Sequence, residues 1–196
     1  GASMVLGPAP HGRMDIVDLD GIQMLWLLRR MRDEGKYLDG REIKAPPRYF
    51  LGAAASPFAS NMKFQALREQ KKVNAGAQFF QTNVVFDADA IDEWLNELAK
   101  RDVLDKVYIL IGLTPLKSYK TAAYMNNKIP GIFVPEKIMK RMEAAKAKGN
   151  EQEEGVQIAL ELIEKIKTKQ GVSGIHLMTV GWEEIVPRIV KEGLGR

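Results

Sequence analysis

Hydrophobic positions along the chain repeat with two different periods, and the two alternate. Short apolar runs at Arg48–Ala55 (RYFLGAAA), Phe79 onward (FFQTNVVF), Val107–Leu113 (VYILIGL) and Val172–Val180 (VSGIHLMTV) have the length and β-branched or aromatic content of strands. The segments between them carry apolar residues at helical spacing. Ile22, Leu25, Trp26, Leu28 and Met31 mark a helix over about 21–34; Met62, Leu67 and Val73 mark one over 61–73; Ile91, Trp94, Leu95 and Leu98 mark one over 87–100. Shorter helices are expected at 118–126 and 135–148, where Pro135 suits a first turn. After a charged loop, Gly149–Gly155, a strongly amphipathic helix follows over 155–170, with Val156, Ala159, Leu160, Ile163 and Ile166 on one face. A closing helix spans 182–192, with Pro187 kinking or delaying it.

The predicted strands begin near residues 49, 79, 107 and 173, and the first two intervals each hold one helix. That rhythm is the signature of βα units with parallel strands. The third interval is longer and holds extra helices.

One stretch conflicts with its own burial. Lys71–Asp87 (KKVNAGAQFFQTNVVFD) passes from a lysine-bearing helix end through Asn74, Ala75 and Gly76 into an apolar run broken by Gln81, Thr82 and Asn83. Glycine suits the left-handed cap of a helix. Amides and hydroxyls inside a buried strand are costly unless they are bonded. Polar or small residues recur at the C-terminal end of every predicted strand: Ala55-Ser56, Thr82-Asn83, Thr114 and Thr179–Gly181. In parallel α/β folds this edge carries the ligand site. The small run Gly52–Ala55 fits either a close backbone approach to a ligand or tight packing of sheet on helix.

Composition narrows the classes. The absence of cysteine excludes disulfides, thiolate-held zinc and iron–sulfur clusters within these residues. A net charge of +4 is modest, and the lysines sit among glutamates on helical faces, so no nucleic-acid partner is expected. No apolar run is long enough for a membrane span, which makes a cytoplasmic protein the expectation. No dinucleotide fingerprint, P-loop, HExxH or GxSxG occurs. Of the two histidines, His11 lies in an irregular lead-in and His176 alternates with apolar neighbours in the last strand. The aspartates of Asp15–Gly21 lack the remaining ligands of a calcium loop; Asp18 and Asp20 are candidate helix caps instead. No metal site is expected. The opening GASM reads as a tag remnant, so residues 1–13 are taken as remnant and lead-in and 14–196 as a single domain.

Several motifs, in order, resemble the methylenetetrahydrofolate reductase family of flavin-dependent (β/α)8 barrels. They are IVDLDG (Ile16–Gly21), the LGAAASP strand end (Leu51–Pro57), K-V-x-A-G-A running into a T-x-x-x-F-D strand end (Lys72–Asp87), G-L-T-P-L (Gly112–Leu116), IPGIFVP (Ile129–Pro135) and G-I-H-L-M (Gly174–Met178). The resemblance implies that the predicted strands are strands five to eight, the C-terminal half of a TIM-type barrel, with the first four strands absent. The family's acidic proton donor and its flavin-side aspartate would lie in that absent half, so the resemblance names no catalytic residue in this chain. Lys72 stands where the family's ammonium meets the flavin diphosphate, with Lys71 beside it. Ala53, Ala54 and Ala55 match the strand end under the flavin. Thr82 and Asn83 match the strand end that binds the pterin, Asn83 taking the place of a glutamine. Thr179 falls on the folate side, Met178 replaces a tyrosine, and Trp182 replaces an arginine. The implied cofactor is FAD, with FMN as its alternative. The implied reaction is reduction of 5,10-methylenetetrahydrofolate or a related tetrahydropterin to the 5-methyl form. The implied partner is an N-terminal barrel half or a second copy of the chain. A non-catalytic split subunit or assembly module is the rival reading.

Overall fold

The computed structural model describes residues 2–5, 19–59 and 61–195. Its strands are β1 (Ala2–Val5), β2 (Phe50–Ala55), β3 (Phe79–Val84), β4 (Tyr108–Leu113) and β5 (Gly174–Leu177). They form one sheet in sequential order, and every neighbouring pair is parallel. The helices are α1 (Gly21–Asp33), α2 (Met62–Ala75), α3 (Ile91–Ala99), α4 (Tyr119–Lys128), α5 (Glu136–Lys148), α6 (Glu151–Lys167) and α7 (Val186–Leu194).

Sequential parallel strands joined by crossovers of one hand place every connecting helix on the same side of the sheet. Burial shows which side that is. Leu51, Ala53, Phe80, Ile109 and Ile111 on one face are essentially sealed. On the other face Phe50 is 38% and Tyr108 60% exposed, with Gln81, Leu110 and His176 half-buried between them. The core therefore lies between sheet and helices, and the opposite face is uncovered among the described residues.

The helix boundaries follow their caps. Asp20 accepts from the Ile22 and Gln23 amides, and Gln23 answers with its side chain to the Asp20 amide, a reciprocal capping box. Asn61 caps α2 and Ser118 caps α4. Gly76, at φ +123°, turns α2 into β3, and its amide donates to the Lys72 and Val73 carbonyls. Asp87 holds the turn before α3 by accepting from the Asp89 and Ala90 amides. Asp18 and His11 lie outside the described residues.

The structure revises the sequence reading in three places and decides between two expectations at a fourth. Ala2–Val5, read as tag and lead-in, form a parallel strand beside β2, so β1 rather than β2 is the sheet edge. The charged segment after Gly149 is helical from Glu151, because Glu151, Glu153 and Glu154 suit the positive N-terminal end of α6. Gly155 lies inside that helix; a Cβ there would collide with the Leu116 carbonyl. The last strand stops at Leu177 instead of Val180. Pro187 delays α7 without bending it, since it sits in the first turn after a single 3-10 turn at Glu183–Ile185.

Candidate strand-end site

The polar cluster of β3 is satisfied within the sheet. At the irregularity between Gln81 and Val84, the Gly112 amide donates to Thr82 Oγ1 at 2.8 Å. Thr82 Oγ1 in turn donates to the Asn83 carbonyl at 2.8 Å. Thr82 is 3% exposed, so its hydroxyl stands in for the ladder bond that the bulge removes. It is placed to shape the strand end rather than to reach a ligand.

Asn83 is the side chain this bulge aims outward. It is half-buried, and its Nδ2 donates to Ser56 Oγ at 3.1 Å, joining the ends of β2 and β3. Gly131, at φ +79°, approaches from the loop before α5, and a Cβ there would lie 3.5 Å from Asn83 Nδ2 and 3.4 Å from Ala59. Ser56 and Gly131 thus flank the Asn83 carboxamide, and Ala59 lies against Gly131, so its surroundings are small residues. A carboxamide bound on one side keeps an acceptor and a second N–H for a planar amide-like partner. Ser56 and Gly131 were visible only as members of motifs; their approach to Asn83 comes from tertiary folding.

Ala53 and Ala55 face the helices, at 1% and 0% exposure, and Ala54 faces the open side. The Phe79 ring lies where a side chain at Gly52 would be. Close packing therefore explains Gly52, Ala53 and Ala55, while Ala54 alone offers its methyl to the open face.

The two lysines diverge. Lys71 is exposed and lines a groove of about 420 Å³ between α1 and α2, with Ile22, Gln23 and Trp26. Lys72 turns inward: its Nζ donates to the Ala54 carbonyl at 2.7 Å and lies 3.4 Å from Glu69 Oε1. The Glu69 side chain is 0% exposed, and its second oxygen has no hydrogen-bond partner. Burial raises the Glu69 carboxyl above its usual range, against the pull of Lys72. Burial likewise lowers the Lys72 ammonium, against the support of Glu69. Glu69 precedes Lys72 by one helical turn, a spacing readable in the sequence, but its burial was not.

On β5, His176 Nδ1 sits 3.5 Å from Gln81 Nε2, and burial lowers its pKa, leaving the imidazole neutral near pH 7. Met178 packs its ε-methyl over Gly112. Thr179 follows directly, half-buried beyond the strand end. Trp182 is 5% exposed and buried as a packing residue. Among the described residues no group of three or more His, Asp or Glu is placed to hold a metal ion, and no helix is long and apolar enough to cross a membrane.

A singly wound parallel sheet with helices on one face and its polar positions gathered at the strand C-termini defines an α/β protein. The profile of the methylenetetrahydrofolate reductase family matches residues 33–193. The chain belongs to that family. It is 27% identical over 185 residues to methylenetetrahydrofolate reductase (NADH) 1 of Arabidopsis thaliana, an alignment covering 89% of this chain and 30% of the relative. The chain therefore spans less than a third of that relative's length. A solved structure from Clostridium thermocellum, described as an uncharacterized protein that binds two copies of 5-methyl-5,6,7,8-tetrahydrofolic acid, shares the fold. Its TM-score is 0.57 at 12% identity, with 98% of this chain and 93% of that one covered.

Proposed function

We propose that this chain is the C-terminal part of a methylenetetrahydrofolate reductase-type barrel and supplies its pterin-recognising strand ends. The reaction is reduction of a 5,10-methylene-tetrahydropterin to the 5-methyl form. The observation that carries the reading is the Asn83 carboxamide, aimed out of the β3 bulge and set against Ser56 beneath Gly131. An amide donor–acceptor pair suits the ring amide and amino groups of a pterin. Family membership and the folate named for the fold neighbour both support this ligand class.

The flavin enters the proposal through the family alone. The lysines as placed do not fit a diphosphate, because Lys71 faces the outer groove and Lys72 is already engaged by Ala54 and Glu69. No redox step is assigned to residues of this chain, and FAD or FMN remains the cofactor implied by resemblance. That same engagement favours the second reading, a non-catalytic assembly module.

Titration with 5-methyltetrahydrofolate separates the two readings. Saturable binding is expected, with Asn83→Ala weakening it about tenfold, the loss of roughly one to two hydrogen bonds. Lys71→Ala should leave affinity unchanged. A chain that is folded by circular dichroism yet binds no folate overturns the pterin reading and leaves the assembly module.

A further inference from the structure

The carbonyl of Ala54 takes its hydrogen bond from a helix and not from a strand. In a parallel sheet, alternate residues of a strand bond to opposite neighbours. The Gln78 amide donates to the Leu51 carbonyl, so the carbonyls of Leu51, Ala53 and Ala55 point toward β3, and that of Ala54 points toward β1. The β1 register stops at Val5, opposite Ala53. The Ala54 carbonyl therefore lies just past the end of that pairing, and Lys72 Nζ donates to it at 2.7 Å.

A backbone acceptor without a donor is costly where water has little access, and a charged donor is a strong replacement for a ladder amide. Lys72 is built into that position. Its side chain is 15% exposed, and the sealed carboxylate of Glu69, one turn earlier, holds the same ammonium at 3.4 Å. A compact ammonium suits this place, whereas the planar fork of an arginine would not.

The anchored carbonyl stands two residues before Ser56, with the fully buried Ala55 between them. Ser56 opens the turn that follows β2: its carbonyl accepts from the Ala59 amide, and its hydroxyl accepts from Asn83 Nδ2, both at 3.1 Å. One line of contacts thus runs from Glu69 and Lys72 through Ala54 and Ser56 to the Asn83 carboxamide.

We propose that Lys72 is a positioning residue of the pterin site: it fixes the end of β2, and through Ser56 the orientation of Asn83, without touching the ligand. The inference rests on the pterin reading above and deepens it. It gives the lysine a role other than the diphosphate contact implied by resemblance, for which its engagement with Ala54 and Glu69 leaves it unsuited. Asn83 is then aimed twice, by the bulge of its own strand and by the turn after β2.

Glu69→Leu combined with Lys72→Met removes the anchor without leaving a buried carboxylate uncompensated. The double variant is expected to unfold cooperatively in urea yet to bind 5-methyltetrahydrofolate about tenfold more weakly than the parent, the loss expected of Asn83→Ala. Adding Asn83→Ala should weaken binding less than about twofold further, because both changes break one line of contacts. Lys72→Arg keeps the charge that Glu69 needs but misplaces the donor, and the same loss is expected of it; this variant decides the matter if the double variant does not fold. In ligand-free samples the Asn83 side-chain amide protons, followed by nuclear magnetic resonance, should exchange with water faster in either variant than in the parent. Parental folate affinity in the folded variants overturns the proposal, and so do losses that multiply to about a hundredfold when Asn83→Ala is added. Pyrophosphate binding by the parent that Lys72→Met abolishes overturns it too, since the lysine would then be a phosphate ligand. A parent chain that binds no folate removes the pterin reading alone. The Asn83 exchange then decides for the lysine: unchanged rates overturn its positioning role, and faster rates uphold it.

Discussion

Lys72→Met is expected to lower stability by about 3 kcal/mol, the scale of removing one member of a buried ion pair. The reason lies in Glu69 rather than in the lost lysine contacts. Its carboxylate is sealed from water, one oxygen already lacks a partner, and the Lys72 ammonium is the charge that compensates it. Without Lys72, Glu69 must take up a proton in the folded state. The sign of the pH dependence follows. Glu69 has a folded pKa above its unfolded value, so its contribution to stability is full below the unfolded value and is lost as pH rises through the folded one. Burial lowers the Lys72 ammonium from the usual lysine range, so its own slope has the opposite sign. Removing it pushes Glu69 further up, which widens the window and steepens the loss. Urea midpoints of Lys72→Met should therefore rise as pH falls from 7 toward 5, more than those of the parent. Glu69→Leu combined with Lys72→Met should recover most of the loss, because an apolar pair of similar volume needs no compensation. A Lys72→Met variant with unchanged midpoints at both pH values would show that the pair is not buried in solution.

This pair marks the boundary of what the sequence made legible. The βα rhythm was readable because parallel strands buried on the helix side are continuous apolar runs, and the helices between them carry one apolar stripe each. The strand-end clustering was readable for the same reason: only there can Thr82, Asn83 and Thr114 sit in an otherwise apolar alternation. Which of those groups faces a ligand was not readable. Thr82 and Asn83 are neighbours in sequence, yet a one-residue bulge turns the first into the sheet and the second outward. Lys71 and Lys72 diverge for a related reason, since adjacent helical residues point about 100° apart and only Lys72 lies toward β2. The strand at Ala2–Val5 was hidden because four residues carry no period of their own; its identity comes from pairing with β2.

The bulge is also where a single methyl group should do most damage to the site. Gly112 lies on the open face of β4, its amide donating to Thr82 Oγ1 and its carbonyl accepting from the Val85 amide, both at 2.8 Å. A Cβ at Gly112 would strike the Thr82 carbonyl and come within 2.8 Å of both the Asn83 carbonyl and the Met178 ε-methyl. The methionine can swing away, but the two carbonyls belong to the bulged backbone and cannot move without breaking the bonds that hold it. Gly112→Ala is therefore expected to cost about 2–3 kcal/mol, the upper part of the range for overpacking. Because the same backbone aims Asn83, folded molecules of the variant should also lose folate affinity by tenfold or more. Gly174→Ala is the matched control. It lies on the neighbouring strand, where the only close atom is Leu110 Cδ2 at 3.2 Å, the end of a side chain free to rotate. That variant should stay within about 1 kcal/mol of the parent and keep its affinity. Urea denaturation and folate titration of the two variants side by side decide the matter: equal behaviour would mean that the bulge does not set the position of Asn83, and a large loss confined to Gly112→Ala would tie ligand recognition to the backbone of β3.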